Sequence, residues 1–224
     1  MANSKRALKR EQILDAAMDL IKNNHYDEVR VEDIAKASNM AKSMVFYYFT
    51  SKASVYLKIL HNLHVKLVDD FISELEQVKP MSGAEFKSFA IRITDKYINN
   101  HYLLIKLLEY EDIIHSECEK QEVIEEKRRL TTLYDGLHSK ILAKVQDLSR
   151  NEIFYVFEVQ MHFIRGYYRQ MISSGKYDGN YSDDLLVEQK TLYEFRVVRM
   201  LRFFIDGILY GKRKITLTKG NGKL

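Results

Sequence analysis

The 224-residue chain is 46% hydrophobic, enough for a real core, and its single proline and nine glycines leave room for long helices. Lys and Arg number 35 against 31 Asp and Glu, a formal charge of +4 that is too small by itself to argue for nucleic acid. The lone Cys118 excludes an intramolecular disulfide and a multi-cysteine zinc site, and no uncharged run approaches ~18 apolar residues, so no membrane span is expected. The opening MANSKRALKREQ has no apolar stretch, so no signal peptide is expected, and one cysteine fits a cytoplasmic protein.

In chain order, Met1 to Arg10 is polar, carries Lys5, Arg6, Lys9 and Arg10, and reads as a flexible basic arm. Ile13, Ala16, Ala17, Leu20 and Ile21 then recur on one helical stripe, which Asn23 and Asn24 end. Val31 to Ser38 predicts a short helix. Asn39 follows, a residue that tolerates the left-handed backbone of a tight turn, and a second short helix is predicted over Lys42 to Phe49. Two short helices across such a turn form a helix-turn-helix. A longer helix starts after Ser51 and runs to about Gln77. Ser82 with Glu85 has the spacing of a capping box opening the next, which ends at Asn99 and Asn100. Further helices are expected over 102–116, 121–148, 151–174 and 186–210. Ser149 with Glu152 forms a second capping box, and 175–184 a loop. The fold class is all-α, about nine helices.

The stretch VRVEDIAKASNMAKSMVFYYFTSKASVYLKIL resembles the DNA-binding domain of the tetracycline-repressor (TetR) family. Ile13, Ala16, Ala17 and Ile21, then Ile34-Ala35, then Phe46 to Phe49, then Ser51-Lys52 stand in that family's order and spacing, over roughly Arg10 to Leu60. The resemblance implies a helix-turn-helix domain at 1–55 and a helical effector-binding and dimerisation domain at 56–211. A basic tail, expected to be flexible, follows at 212–224. It implies a transcription regulator rather than an enzyme: a homodimeric repressor on a palindromic operator in double-stranded DNA, released by a small apolar or aromatic effector. An activator or architectural protein without such a switch is the alternative reading, and a helical-bundle enzyme a remote one.

A recognition helix enters the major groove by its N-terminal end, so Lys42, Ser43, Met44 and Phe46 are the candidates for base contact. Lys42 can donate to guanine, Ser43 can donate or accept, and Met44 and Phe46 offer apolar contact. Tyr47, Tyr48, Lys52 and Arg30 are candidates for phosphate oxygens. The chain departs from the family at Arg30, where a Ser or Thr cap is frequent, and at Met44 and Phe46, where Thr and Tyr are frequent. Val45 and Phe49 are expected in the core.

The resemblance also places a dimer interface on the last two long helices. The apolar stripe Phe157, Met161, Ile164 and Tyr168 marks the first of them. Val197, Leu201, Phe204, Ile205 and Ile208 mark the second. An effector pocket is expected among the middle aromatics Phe86, Phe89, Tyr97, Tyr102, Tyr110, Tyr134, Phe154, Tyr155 and Tyr167, many of which equally suit a plain core. His61 with His64, and Asp112 with His115 and Glu119, have helical spacing but read as polar helix faces, so neither a metal nor a cofactor is expected. The acidic neighbours Glu117 and Glu119 are expected to raise the Cys118 pKa.

Overall fold

The computed structural model describes residues 2–177 and 183–220. The helices are α1 (Ala2–Asn23), α2 (Val31–Ala37), α3 (Lys42–Tyr48), α4 (Lys52–Glu76), α5 (Gly83–Asn100), α6 (Tyr102–Leu108), α7 (Glu111–Glu117), α8 (Lys120–Leu142), α9 (Arg150–Tyr177) and α10 (Asp183–Gly220). A 3-10 turn, Tyr26–Glu28, lies between α1 and α2. The chain divides into two compact units, one of residues 1–66 with 106–133 and one of 67–105 with 134–224.

The all-α expectation holds, with local differences. The basic N-terminal segment, expected as a flexible arm, is helical from Ala2, because Ala, Leu, Lys, Arg, Glu and Gln are all good helix formers. The stretch expected as one helix over 102–116 is two, parted at Tyr110, whose backbone (φ −105°, ψ 4°) leaves the helical range. α8 ends at Leu142, short of 148, because the chain turns there to pair with Met81. The Met81 N–H donates to the Lys144 carbonyl (2.7 Å), and the Gln146 N–H donates to the Met81 carbonyl (3.1 Å). Val145 and Leu148, freed from the helix, are buried. α10 stays helical to Gly220, through most of the expected tail. Of the expected 175–184 loop, α9 takes residues up to Tyr177 and α10 begins at Asp183; 178–182 and 221–224 lie outside the described residues.

Within the first unit, Ile13, Ala17, Ile21, Ile34, Val45, Phe49 and Tyr56 form the core. The turn between α2 and α3 is closed by backbone bonds. The Asn39 N–H donates to the Lys36 carbonyl (3.1 Å) and the Met40 N–H to the Ala35 carbonyl (2.8 Å), the two bonds of a Schellman motif. Asn39 holds φ 54°, the one positive φ among the described non-glycine residues. At the start of α2, where a Ser or Thr cap is lacking, the Arg30 N–H donates to the Asp33 carboxylate instead (2.8 Å).

In the second unit, both capping boxes form. The Ser82 N–H donates to the Glu85 carboxylate (2.8 Å), and the Ser149 N–H to that of Glu152 (2.7 Å). α5 and α9 pack against α10. The packing stripe of α10 is Tyr193, Val197, Leu201 and Ile205, all buried. Phe195, Arg199 and Phe203, offset by two residues and so on the opposite face, are exposed.

Two predictions follow from the first unit. Asn39→Ala puts a Cβ-bearing residue without a helpful side chain at positive φ and costs about 1 kcal/mol, whereas Asn39→Gly is nearly neutral; denaturant titration of both variants checks the difference. His64, 8% exposed, has its pKa lowered to about 4, by burial and then by the charge of His61. An unfolded His titrates near 6.5, so the unfolded chain binds a proton that the folded chain refuses. That stability is whole above pH ~6.5 and falls as pH drops toward 4, by on the order of 3 kcal/mol at the limit. Wild type should therefore lose stability relative to His64→Leu between about pH 7 and pH 4.5; a constant difference across that window contradicts the assignment.

Candidate nucleic-acid interface

α3 is a seven-residue helix anchored by one inward side chain within it and one at its C-cap. Val45 and Phe49 are buried against the first unit's core. Their spacing turns Lys42, Ser43, Met44, Phe46 and Tyr47 to solvent. Met44, Phe46 and Tyr47 are 38%, 46% and 63% exposed, large apolar surfaces that the fold leaves uncovered. Tyr48 is half-buried, its ring edge-on to that of Tyr47 (5.1 Å between centroids).

Cations gather on the same surface. Arg6 of α1 lies over the Tyr47 ring (5.7 Å), Arg10 over Phe49 (4.9 Å) and Lys42 over Phe46 (5.7 Å). The Lys42 ammonium also pairs with Glu32 of α2 (2.5 Å), and this hydrogen bond holds the Glu32 carboxyl below its usual range. Both partners are exposed, where solvent screens such a pair, so it opens readily in favour of a stronger anion. Arg30 is exposed at the start of α2.

Lys52 sits elsewhere. Its ammonium donates to the Tyr26 carbonyl (2.9 Å) and lies 3.8 Å from the centre of the Tyr26 ring. In the free protein it braces the 3-10 turn against α4 rather than projecting toward a phosphate. A lysine at a helix start reads as a free cation in sequence; its partner, 26 residues away, carries no sequence signal.

Sequence reading also missed a set of polar contacts within the first unit, made by residues 106–133. The Tyr26 hydroxyl donates to Glu117 (2.5 Å), and His25 bonds the Tyr110 hydroxyl (2.8 Å). The Ser54 hydroxyl donates to Glu122 (2.8 Å), and His61 pairs with Glu126 (2.6 Å). Lys106 donates to the Lys22 carbonyl (3.0 Å). Burial and the Glu117 hydrogen bond raise the Tyr26 pKa, so its hydroxyl stays a donor. Burial and then Glu122 and Glu117 push the Cys118 thiol up to about 12, the direction its acidic neighbours predict.

The expected pocket aromatics separate. Phe86, Phe89 and Tyr97 are buried in the second unit, and Tyr134 and Tyr167 are half-buried. Tyr102, Phe154 and Tyr155 are exposed. Tyr110 belongs to the first unit, where it stacks on Tyr26 (5.8 Å), and so leaves the pocket set. The second unit has a cavity of about 230 Å³ between α4 and α5, lined by Leu67, Phe71, Ile93 and Tyr97 on its apolar side and by Asp70, Glu74, Lys96 and His101 on its polar side. Of the expected dimer residues, Ile164, Tyr168, Val197, Leu201 and Ile205 are buried within the protomer's own packing. Phe157, Met161, Phe204 and Ile208 are half-buried. Among the described residues no three His, Cys, Asp or Glu side chains converge as metal ligands do, and no helix is long and apolar enough to cross a membrane.

Residues 13–59 match the family described as bacterial regulatory proteins, tetR family. The biofilm operon icaADBC HTH-type negative transcriptional regulator IcaR of Staphylococcus epidermidis is 26% identical over 133 residues. That is 57% of this chain and 66% of IcaR, just under two thirds of the relative's length. The fatty acid degradation regulator FadR of Bacillus halodurans has a similar fold (TM-score 0.56, 17% identity, 87% of this chain and 94% of that one). So does FadR of Thermus thermophilus, a TetR family transcriptional repressor in complex with lauroyl-CoA (TM-score 0.50, 16% identity, 86% and 92%). A helix-turn-helix at the matched residues and an exposed recognition helix with its two anchors buried lead to one conclusion: residues 13–59 form a DNA-binding domain of the kind found in bacterial regulatory proteins of the tetR family.

Proposed function

We propose that the chain is a sequence-specific DNA-binding transcription regulator, a homodimeric repressor that a small molecule releases from a palindromic operator. The observation that carries this reading is the solvent face of α3. Met44, Phe46 and Tyr47 stand exposed beside Lys42 and Arg6, an arrangement that costs apolar exposure and serves groove contact. In this reading Lys42, Ser43, Met44 and Phe46 meet base edges. Tyr47, Tyr48 and Arg30 meet phosphates, with Arg6 added to them, and Lys52 supports from behind. Such a protein works where the DNA is, in the cytoplasm.

The homodimer rests on the outward face of α10. Leu192, Phe195, Phe203 and Tyr210 are all large, apolar and exposed, as is Phe154 on α9. Isolated exposed apolar residues are ordinary, but a helical stripe of them marks an interface. A two-fold axis through that stripe would pair two reading heads, matching a palindromic site. The interface thus moves from the stripe expected in sequence to the one two residues out of phase with it. An effector-responsive repressor is favoured over an activator or architectural protein by the cavity whose wall combines Leu67, Phe71, Ile93 and Tyr97 with the charged Asp70, Glu74 and Lys96. A ligand there acts by favouring one conformation of the regulator over another. The similar Thermus FadR was solved with lauroyl-CoA, which makes acyl compounds a reasonable first class to screen.

Fluorescence anisotropy on a palindromic duplex from upstream of the gene should show affinity falling steeply with salt. Lys42→Ala should weaken binding and reduce the magnitude of the salt slope by about 1. Lys52→Ala should lower thermal stability and leave the slope unchanged; a slope reduced equally by both variants would return Lys52 to the phosphate contacts. Light scattering should give a dimer for wild type and a monomer for Phe203→Asp, and a wild-type monomer at micromolar concentration would end the dimer reading.

A further inference from the structure

α1 begins before the core that it leads into. Residues 5–12 are all exposed, and burial starts at Ile13. Lys5, Arg6, Lys9 and Arg10 stand in that exposed stretch. At 3.6 residues per turn the four fall within about 140° of arc, along the line that Ile13 and Ala17 continue into the core. Leu8, 61% exposed, and Glu11 fall on the other side. The face of α1 that packs inward from Ile13 onward is therefore cationic over residues 5–10. It also adjoins the recognition helix, since Arg6 lies over the Tyr47 ring (5.7 Å) and Arg10 over that of Phe49 (4.9 Å).

This placement is unfavourable in the free chain. The unpaired N–H groups at a helix start carry partial positive charge, which suits carboxylates and repels cations. α1 has no acidic residue in its first turn. Among the described residues, none of the four cations pairs with a carboxylate. A polyanion along this face offsets both costs, and the face is continuous with the surface on which Lys42, Phe46 and Tyr47 stand. Helical form decides where on DNA it binds. A helix about 10 Å across does not enter a minor groove about 6 Å wide, so the segment lies against the backbone.

We propose that the first turns of α1 are a second DNA-binding surface, a helical clamp in which Lys5, Lys9 and Arg10 join Arg6 on the phosphates beside the groove that α3 enters. The proposal rests on the DNA-binding reading above and extends that interface beyond the helix-turn-helix. Phosphate contacts carry no sequence information, so the clamp adds affinity and salt dependence without adding specificity.

The test measures binding of the full-length protein to a duplex of random sequence across a salt series. The double variant Lys5→Ala/Lys9→Ala keeps the helix, since alanine is the best helix former. It should bind about ten-fold more weakly, with the magnitude of the salt slope reduced by about 2. Leu8→Pro keeps all four charges and breaks the helix before the core begins. It should leave the melting temperature unchanged and weaken binding as the double variant does. Unchanged affinity and slope in Lys5→Ala/Lys9→Ala overturn the clamp. Wild-type binding by Leu8→Pro also overturns it, because the charges then act as a flexible arm. If Lys42→Ala lowers the slope while the double variant does not, the clamp falls and the DNA-binding reading stands. A wild type that binds no duplex at low salt ends both.

Discussion

A helix of seven residues does not persist in water by itself, because its nucleus fixes many backbone angles for few hydrogen bonds. α3 exists because Val45 and Phe49 are buried and because the chain enters it from a turn of fixed geometry. That turn requires a left-handed residue, and Asn39 supplies it. Everything on the candidate DNA face depends on this constraint. A change of one residue in phase would bury Lys42 or Phe46 and bring Val45 to the surface. The face is therefore set by the two side chains that never reach solvent.

α10 poses the opposite problem, too much apolar surface for one protomer. Tyr193, Val197, Leu201 and Ile205 satisfy α5 and α9, while Phe195 and Phe203 stand on the far side. Arg199 lies over both of those rings, 5.8 and 5.7 Å from their centres. A guanidinium stacked between two phenyl rings keeps the stripe hydrated in the free chain and is itself compatible with a packed interface. The helix thus carries two apolar faces, one covered by α5 and α9 and one open to solvent in the single chain.

This is also where sequence reading met its limit. Periodicity shows that a helix has apolar stripes; it does not say which stripe faces inward when there are two. Residues 164, 168, 197, 201 and 205 share the spacing expected of an interface, and the protomer buries them in its own packing. Local signals fared better, because their physics is local: the left-handed Asn39, the Ser82–Glu85 and Ser149–Glu152 boxes, and the inward Val45 and Phe49 all lie within a few residues of their causes. The contacts of Lys52 with Tyr26 and the place of Tyr110 in the first unit are not legible in the sequence, because their partners lie far along the chain. The early end of α8 was likewise hidden, since the pairing of Met81 with Val145 joins residues 64 apart.

The polar contacts of residues 106–133 also alter what counts as the reading head. A boundary at residue 55 follows the helix-turn-helix, but Tyr26, Ser54 and His61 are bonded to Glu117, Glu122 and Glu126. Each such bond is worth about 0.5–1.5 kcal/mol net, more where a charge takes part. Three of them together reach a few kcal/mol, the scale on which one ligand alters affinity for another, about 1–3 kcal/mol. Movement of the 106–133 segment that broke even two of these bonds would therefore change the energy of the reading head by an amount comparable to a regulatory response.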